Sequence, residues 1–111
     1  MNYNIDELLT KFNAHREVAN EHLAKVQSLL KGKITQEEFN AYEKNQEEKK
    51  NAFMNALYEA VDKYSEGKVS HKQVDMIITF MYENDEDTYY GTNGATNFMC
   101  YVFSIVDIIK G

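Results

Sequence analysis

Two short segments with the same helix-ending and helix-starting code divide the chain into long stretches. Residues 31–35 (KGKIT) are followed 35 residues later by residues 66–70 (EGKVS). In each segment the glycine favours the left-handed conformation that ends a helix. Thr35 then begins a capping box with Glu38, and Ser70 begins a second one. These two joints, in a chain without proline, predict an all-α fold.

Apolar residues within these stretches recur at steps of three and four, which is the spacing of an amphipathic helix. In the first stretch this spacing predicts that Phe12, Leu23 and Leu30 face inward, with Arg16 as an interruption. The first two helices follow one another across a short joint, so we expect a long antiparallel hairpin. A chain of 111 residues is long enough for one compact domain. We therefore predict a single helical bundle over residues 1–111, with helices at 1–31, 35–65, 70–83 and 96–110 and a loop at 84–95.

The predicted helices differ in polarity. The middle of the second helix, residues 43–51 (EKNQEEKKN), is polar on every side, so we expect it to project from the body or to meet the polar face of another chain. The last helix is almost wholly apolar and is either central to the bundle or half of an oligomer interface; Cys100 within it is expected to be buried. Because the two long helices offer only narrow apolar stripes, a homodimer is one expectation. In the third helix the spacing predicts four inward residues, Val74, Ile77, Ile78 and Met81.

Composition restricts the classes of function. The chain has 18 acidic and 12 basic residues and a net charge of −6, which favours a basic protein partner over direct contact with nucleic acid or anionic lipid. One cysteine cannot form an internal disulfide, which is typical of a cytoplasmic protein. No apolar run approaches a membrane span, and the first residues lack the layout of a signal peptide. Without a phosphate-binding glycine motif or zinc-ligand spacing, we expect no enzyme activity, no cofactor and no metal.

The most unusual patch of the chain combines carboxylates with tyrosines near residues 82–90. Its order does not fit a calcium-binding EF-hand, because Asp87 is followed by Thr88 and Tyr89 rather than by further oxygen ligands. Two interpretations remain open: a solvated loop, or an acidic surface edged by tyrosines that binds a basic partner. The second interpretation predicts as binding residues Tyr82, Glu83, Asp85, Glu86, Asp87, Tyr89 and Tyr90, together with Glu43, Glu47 and Glu48 of the polar mid-helix.

Two local patterns resemble known families. Residues 29–45 (LLKGKITQEEFNAYEKN) resemble the hairpin of SHOCT-type modules, which implies a helical interaction hairpin and no particular functional residue. Arg16 and His22 resemble the Arg-x(4–6)-His pattern of HEPN-type ribonucleases, which implies RNA cleavage by paired subunits.

The positions of these residues along the helix also allow a structural role. Six residues apart in a continuous helix, the side chains of Arg16 and His22 point about 120° from one another. Arg16 is then expected to pair with Glu47 or Glu48 on the antiparallel second helix and to fix its register. His15 and His22 lie too far apart along the helix to share a metal ion, and we expect both to be solvated.

These observations lead to one main hypothesis and two alternatives. The main hypothesis is an acidic protein-binding module that docks on a basic, nucleic-acid-handling protein and inhibits or modulates it. Arg16 is the only arginine among the 12 basic residues, while Asn, Lys, Ile and Tyr are plentiful, a bias that the A+T-rich coding DNA of a low-GC bacterium or its phage produces. Together with the size and the charge, this bias is typical of phage or mobile-element inhibitors of host defence, such as anti-CRISPR proteins. The alternatives are a HEPN-like dimeric ribonuclease that uses Arg16 and His22, and a structural adaptor that binds through its last helix.

Overall fold

The computed structural model of the chain describes residues 5–84 and 95–111, and these residues form helices joined by short turns. No strand occurs in either range, so the predicted all-α class is confirmed. Asn84 and Ala95 belong to helices rather than to the predicted loop at 84–95, and the rest of that loop lies outside the described residues. The helices are α1 (Ile5–Asn20), α2 (His22–Leu30), α3 (Gln36–Ser65), α4 (His71–Asn84) and α5 (Ala95–Lys110).

Both predicted capping boxes are present. The Thr35 hydroxyl accepts a hydrogen bond from the Glu38 amide at 3.1 Å, and the Glu38 carboxylate accepts one from the Thr35 amide at 3.1 Å. The Ser70 hydroxyl and the Gln73 side chain make the same exchange, at 3.1 and 2.9 Å. Each box satisfies amides that the first turn of a helix leaves without a backbone partner, which fixes where α3 and α4 begin.

The helices before these boxes, α2 and α3, both end at residues in the left-handed conformation, but the first such residue is a glycine only after α2. Gly32 has a φ of 71°, and the next amide, that of Lys33, bonds the Ser28 carbonyl at 2.8 Å, as in a Schellman motif. After α3 the left-handed position falls first on Glu66, with a φ of 55°, and Gly67 follows with a φ of 77°. A residue with a Cβ therefore occupies the conformation that glycine adopts without strain.

The long first helix predicted over residues 1–31 is divided at Glu21, so the prediction of one continuous helix is wrong. The Glu21 amide bonds the Val18 carbonyl, three residues back, at 3.1 Å. The Tyr42 hydroxyl of α3 donates to the same carbonyl. A side chain that inserts a donor into the ladder of helix hydrogen bonds interrupts the helix, and this accounts for the boundary between α1 and α2.

Aromatic packing at one end of the molecule forms the centre of the core. The Phe12 ring of α1 stacks on the Phe98 ring of α5, with centroids 4.6 Å apart, and lies 4.8 Å from the Phe53 ring of α3. All three side chains are fully buried. The contacts Phe12 with Phe53 and Val18 with Tyr42 show that α1 and α3 run in opposite directions. The four residues predicted to face inward from α4 are all buried, which confirms that prediction: Val74, Ile77, Ile78 and Met81.

Two polar contacts hold α4 against α3. The Tyr58 hydroxyl donates to the Asp75 carboxylate, and this hydrogen bond is the main reason why the pKa of Tyr58 is raised to about 12. The His71 ring stacks on Tyr58 with centroids 4.4 Å apart, and its Nε2 lies 2.9 Å from the Asp62 carboxylate. The first turns of α4 are therefore positioned by side chains of α3 as well as by the short joint.

Three inward predictions are wrong. Leu23 and Leu30 of α2 are 67% and 81% exposed, although their spacing is that of a buried stripe. No residue of α2 is buried, because a helix packed beside a single neighbour leaves most of its circumference in solvent. Cys100 is also exposed, because the buried side of α5 is formed by residues on the other side of the helix. Those residues are Phe98, Met99, Val102, Phe103 and Val106.

Candidate functional site

A groove of about 490 Å³ lies where the middle of α3 passes α1 and α4. We call it the junction groove. Its residues from α3 follow one another at steps of three, one and three, which places them on a single face of the helix. The lining residues are His15 from α1, Glu43, Gln46, Glu47 and Lys50 from α3, and Ile78, Thr79 and Tyr82 from α4.

His15 forms the buried part of the groove and is not solvated as predicted. It is 4% exposed, and its ring is parallel to the Phe53 ring with centroids 6.1 Å apart. Burial first, and then the positive charges of Lys50 and Arg16, lower the pKa of His15 from 6.5 to about 4. The imidazole is therefore uncharged at neutral pH. A sequence signal existed, because His15 follows Phe12 by three residues and shares its helix face.

The rim of the groove is acidic. The side chains of Glu43, Glu47 and Lys50 are exposed, so two carboxylates face one ammonium group while His15 is neutral. A cationic side chain entering the groove would meet these carboxylates beside the Tyr82 ring, which offers apolar contact area and a hydroxyl. Nowhere in residues 5–84 and 95–111 do three His, Cys, Asp or Glu side chains converge in a way that could hold a metal ion. The chemistry available here is recognition of positive charge.

The predicted binding residues divide into three groups. Glu43, Glu47 and Tyr82, which the sequence places on separate segments, line the same groove. Glu48 is exposed but is not part of this lining, because it points to another side of α3, and Glu83 is exposed at the end of α4. The remaining predicted residues lie outside the described residues: Asp85, Glu86, Asp87, Tyr89 and Tyr90.

Arg16 and His22 have different surroundings. Arg16 is buried, with its guanidinium carbon 5.0 Å from the centre of the Phe12 ring, and it donates to the Asn13 side chain at 2.8 Å. His22 is exposed on α2, with its ring centroid 6.2 Å from that of Phe39. The helix boundary at residue 21 separates them. The expected ion pair of Arg16 with α3 stays a prediction.

Comparison with known proteins adds no relative. The chain matches no protein-family model, and it has no significant match among curated proteins or solved structures. Among the helices that the structure describes, none is both long and apolar enough to cross a bilayer. The features of this chain that bear on its function are therefore the junction groove and the net charge.

Proposed function

We propose that the junction groove is a protein-binding surface and that the chain is a non-enzymatic acidic module that docks on a basic partner. In this proposal the partner is a nucleic-acid-handling protein, which the chain inhibits or modulates. One observation carries the proposal: Glu43 and Glu47 of α3 and Tyr82 of α4 line the same groove.

The electrostatics favour a partner that presents lysine or arginine. A net charge of −6 attracts a basic surface over several ångströms before contact, which raises the association rate at low salt. At contact, Glu43 and Glu47 offer charge-assisted hydrogen bonds to a cationic side chain. Proteins that bind nucleic acid carry basic patches for the phosphates, so an acidic module can occupy such a patch and compete with the nucleic acid.

Part of the groove is built against the buried core, which supports a role in binding. Its deepest residue, His15, packs on the fully buried Phe53, and its α4 side includes the buried Ile78. Side chains on packed helices lose little conformational freedom when a partner binds, so less of the binding free energy is spent on ordering them. The antiparallel pair of α1 and α3 thus provides a largely preformed surface.

The acidic segment adjoins a lining residue of the groove in the sequence. Asp85 follows Tyr82 by only three residues. Glu83, Asp85, Glu86 and Asp87 can therefore extend the acidic rim toward the same partner. In this proposal the two predicted patches belong to one surface.

The test is capture of a partner from a lysate of a low-GC bacterium, with variants that lose carboxylates on different sides of α3. Wild type and Glu48→Gln should retain the same dominant basic protein at low salt, and less of it at moderate salt. The double variant Glu43→Gln/Glu47→Gln should lose it. Helicity measured by circular dichroism should be equal in all three. Equal retention by the double variant and by Glu48→Gln would exclude the groove as the binding surface.

The acidic segment is tested separately by kinetics with the captured partner. Replacement of Asp85, Glu86 and Asp87 by alanine should lower the association rate at low salt and leave the dissociation rate nearly unchanged, because peripheral charges act mainly on encounter. Surface plasmon resonance at two salt concentrations measures both rates. An unchanged association rate would remove the segment from the binding surface.

A further inference from the structure

A second groove, of about 270 Å³, lies between α4 and α5 and is lined by five apolar residues and one glutamine. Large apolar side chains on both helices are exposed around it, including Met76 at 62%, Phe80 at 54% and Ile108 at 79%. We call this surface the α4–α5 face. The groove itself is lined by Gln73, Met76, Ile77, Phe80, Ile105 and Ile109, and Tyr101 and Ile108 are further exposed residues of α5.

The face is a second apolar side on each helix. On α5, Tyr101, Ile105 and Ile108 follow one another at steps of four and three, the spacing of a helix-packing stripe. Ile105 is half-buried against the core at the edge of this stripe, whereas Tyr101 and Ile108 are exposed on the side away from it. A helix that is apolar on two sides is typical of one that is covered on both. The described helices cover one side of α5 and leave this stripe largely exposed.

We infer that the α4–α5 face binds a second copy of this chain. The face offers both parts of a self-complementary contact, because Met76 and Phe80 project from α4 beside a groove large enough to receive such a side chain. In a two-fold dimer the same patch occurs on both subunits, so a projecting side chain of one copy can enter the groove of the other. The contact then closes on itself and forms a discrete dimer.

Charge distinguishes a second copy from a basic partner. None of the six residues that line the groove is charged, so this surface gives no electrostatic gain to a lysine- or arginine-rich protein. Two copies with a net charge of −6 each repel at long range, so their association is favoured where the contact itself adds no like charges. The α4–α5 face meets that condition, whereas the junction groove with Glu43 and Glu47 does not.

The exposed area is of the order that a dimer needs. A fully buried aromatic side chain contributes about 150–250 Å², so five large side chains of about this size that are 37% to 79% exposed would contribute roughly 500 Å². A standard interface buries about 800 Å² on each partner, of which a polar rim supplies the remainder. Met76, Phe80, Tyr101, Ile108 and Ile109 are those five side chains.

The dimer and the junction groove are independent. The two grooves share no lining residue, so pairing through α4 and α5 leaves the acidic groove of each copy open. A dimer then presents two acidic grooves, and a partner with two basic sites would be held more tightly than by one copy. The inference concerns self-association alone and does not rest on the proposed function.

Sedimentation equilibrium of the full chain over a range of concentrations tests the inference. Wild type should sediment at twice the chain mass of 12.9 kDa, with a single monomer–dimer equilibrium. Phe80→Glu should weaken dimerisation by about 30-fold or more, because a carboxylate would lose its water at the centre of the contact. Leu30→Glu is the matched control: Leu30 is a more exposed apolar residue outside the face, and this variant should dimerise like wild type.

Two results would overturn the inference. One is a wild-type chain that remains monomeric at concentrations of about 100 μM, a range in which interfaces of this size associate. The other is that Phe80→Glu and Leu30→Glu dimerise with the same affinity. Circular dichroism establishes that each variant is folded, and Met76→Glu replaces Phe80→Glu if the latter loses helicity.

Discussion

The two halves of α3 lie in different surroundings. Its second half, residues 53–65, packs with α1, α4 and α5, and we call this region the body. Its first half, residues 36–51, packs with α2 near Phe39 and with the end of α1 near Val18, and we call this half together with α2 the arm. In the body half of α3, six side chains are buried, including Phe53 and Leu57, whereas in the arm half only Phe39 and Tyr42 are.

The difference shows what decides burial in a helical chain. The arm half of α3 has few apolar residues to bury, because residues 43–51 are all polar, and among the described helices no third one covers the outer side of α2. A pair of helices buries one narrow stripe, whereas four helices enclose a core. The described residues extend 53 Å along the longest axis and about 23 Å across, in keeping with an arm that projects from a compact body. The junction groove lies where the two regions meet.

The largest effect is expected from truncation at the centre of the body. Phe53→Ala removes a fully buried ring that contacts Phe12 and His15, and it should lower the free energy of unfolding by about 3–5 kcal/mol. Phe39→Ala in the arm is the matched change. It should lower the free energy of unfolding by less than half as much, because fewer neighbours surround Phe39. Urea unfolding followed by circular dichroism measures both. Equal losses of unfolding free energy in Phe53→Ala and Phe39→Ala would contradict the distinction between body and arm.

The next effect is the pH dependence that His15 gives to the body. Its pKa is about 4 in the folded chain and 6.5 in the unfolded chain, so the unfolded chain binds the proton first as the pH falls. Stability should therefore decrease between pH 6.5 and pH 4 and level off below, by at most about 3 kcal/mol from this residue.

Variants separate this contribution from the carboxylates that titrate in the same range. His15→Leu should remove its share of the decrease, whereas the exposed His22 offers a control, because His22→Gln should keep the full pH dependence. Unfolding free energies at pH 7, 5.5 and 4 are compared among the three chains. An identical decrease in wild type and His15→Leu would show that the imidazole is not buried in its neutral form.

A smaller effect is expected within the arm from the Tyr42 hydroxyl. Tyr42→Phe removes the donor to the Val18 carbonyl and should cost about 1 kcal/mol, the usual net value of one hydrogen bond. The loss should appear as faster amide exchange near the boundary of α1 and α2, with little change in the body. Tyr101→Phe, at an exposed position of α5, is the control. A uniform acceleration throughout the chain would mean that arm and body open together.

The smallest effect is expected from polar replacement on α2. Leu23→Gln should change the unfolding free energy by less than about 0.5 kcal/mol, because Leu23 is already two-thirds exposed. Thermal unfolding measures the change. A loss of about 2 kcal/mol or more would show that this side chain is buried in solution, in a contact with another chain or with residues outside the described ranges.

Local chemistry made much of the fold predictable from the sequence. The starts of α3 and α4 follow from Thr35 with Glu38 and from Ser70 with Gln73, because a capping box depends on residues four positions apart at most. The inward side of α4 was predictable for a related reason: its apolar residues form one stripe, and that stripe is buried. Both features are encoded within a single helix or joint.

Features that depend on a distant helix were not predictable. The break at Glu21 depends on Tyr42, which lies 21 residues further along the chain. The spacing of His15 from Phe12 indicates a shared helix face, but whether that face is covered at His15 depends on Phe53. The exposure of Leu23 depends on the lack of a third helix beside α2 in the described residues. Spacing within one helix specifies which residues share a side, but only the neighbours decide whether that side is covered.

The same limit applies to the candidate site. The sequence indicated Glu43, Glu47 and Tyr82 by residue type, since carboxylates and tyrosines are typical of surfaces that bind basic partners. It could not bring them together, because their proximity follows from the packing of α4 across α3. Ile78 and Thr79 were missed as lining residues for the same reason. Their positions on the groove face become apparent only once the helices are paired.

Native-state hydrogen exchange, resolved residue by residue, tests the central distinction between arm and body most directly. The amides of residues 53–65 should exchange only with the free energy of global unfolding, whereas those of residues 22–30 and 36–51 should exchange through smaller openings. Increasing denaturant should leave the exchange of the arm nearly unchanged at first and accelerate that of the body. A single common free energy for all these amides would contradict the account, because it would show that the arm is as firmly packed as the core around Phe12 and Phe53.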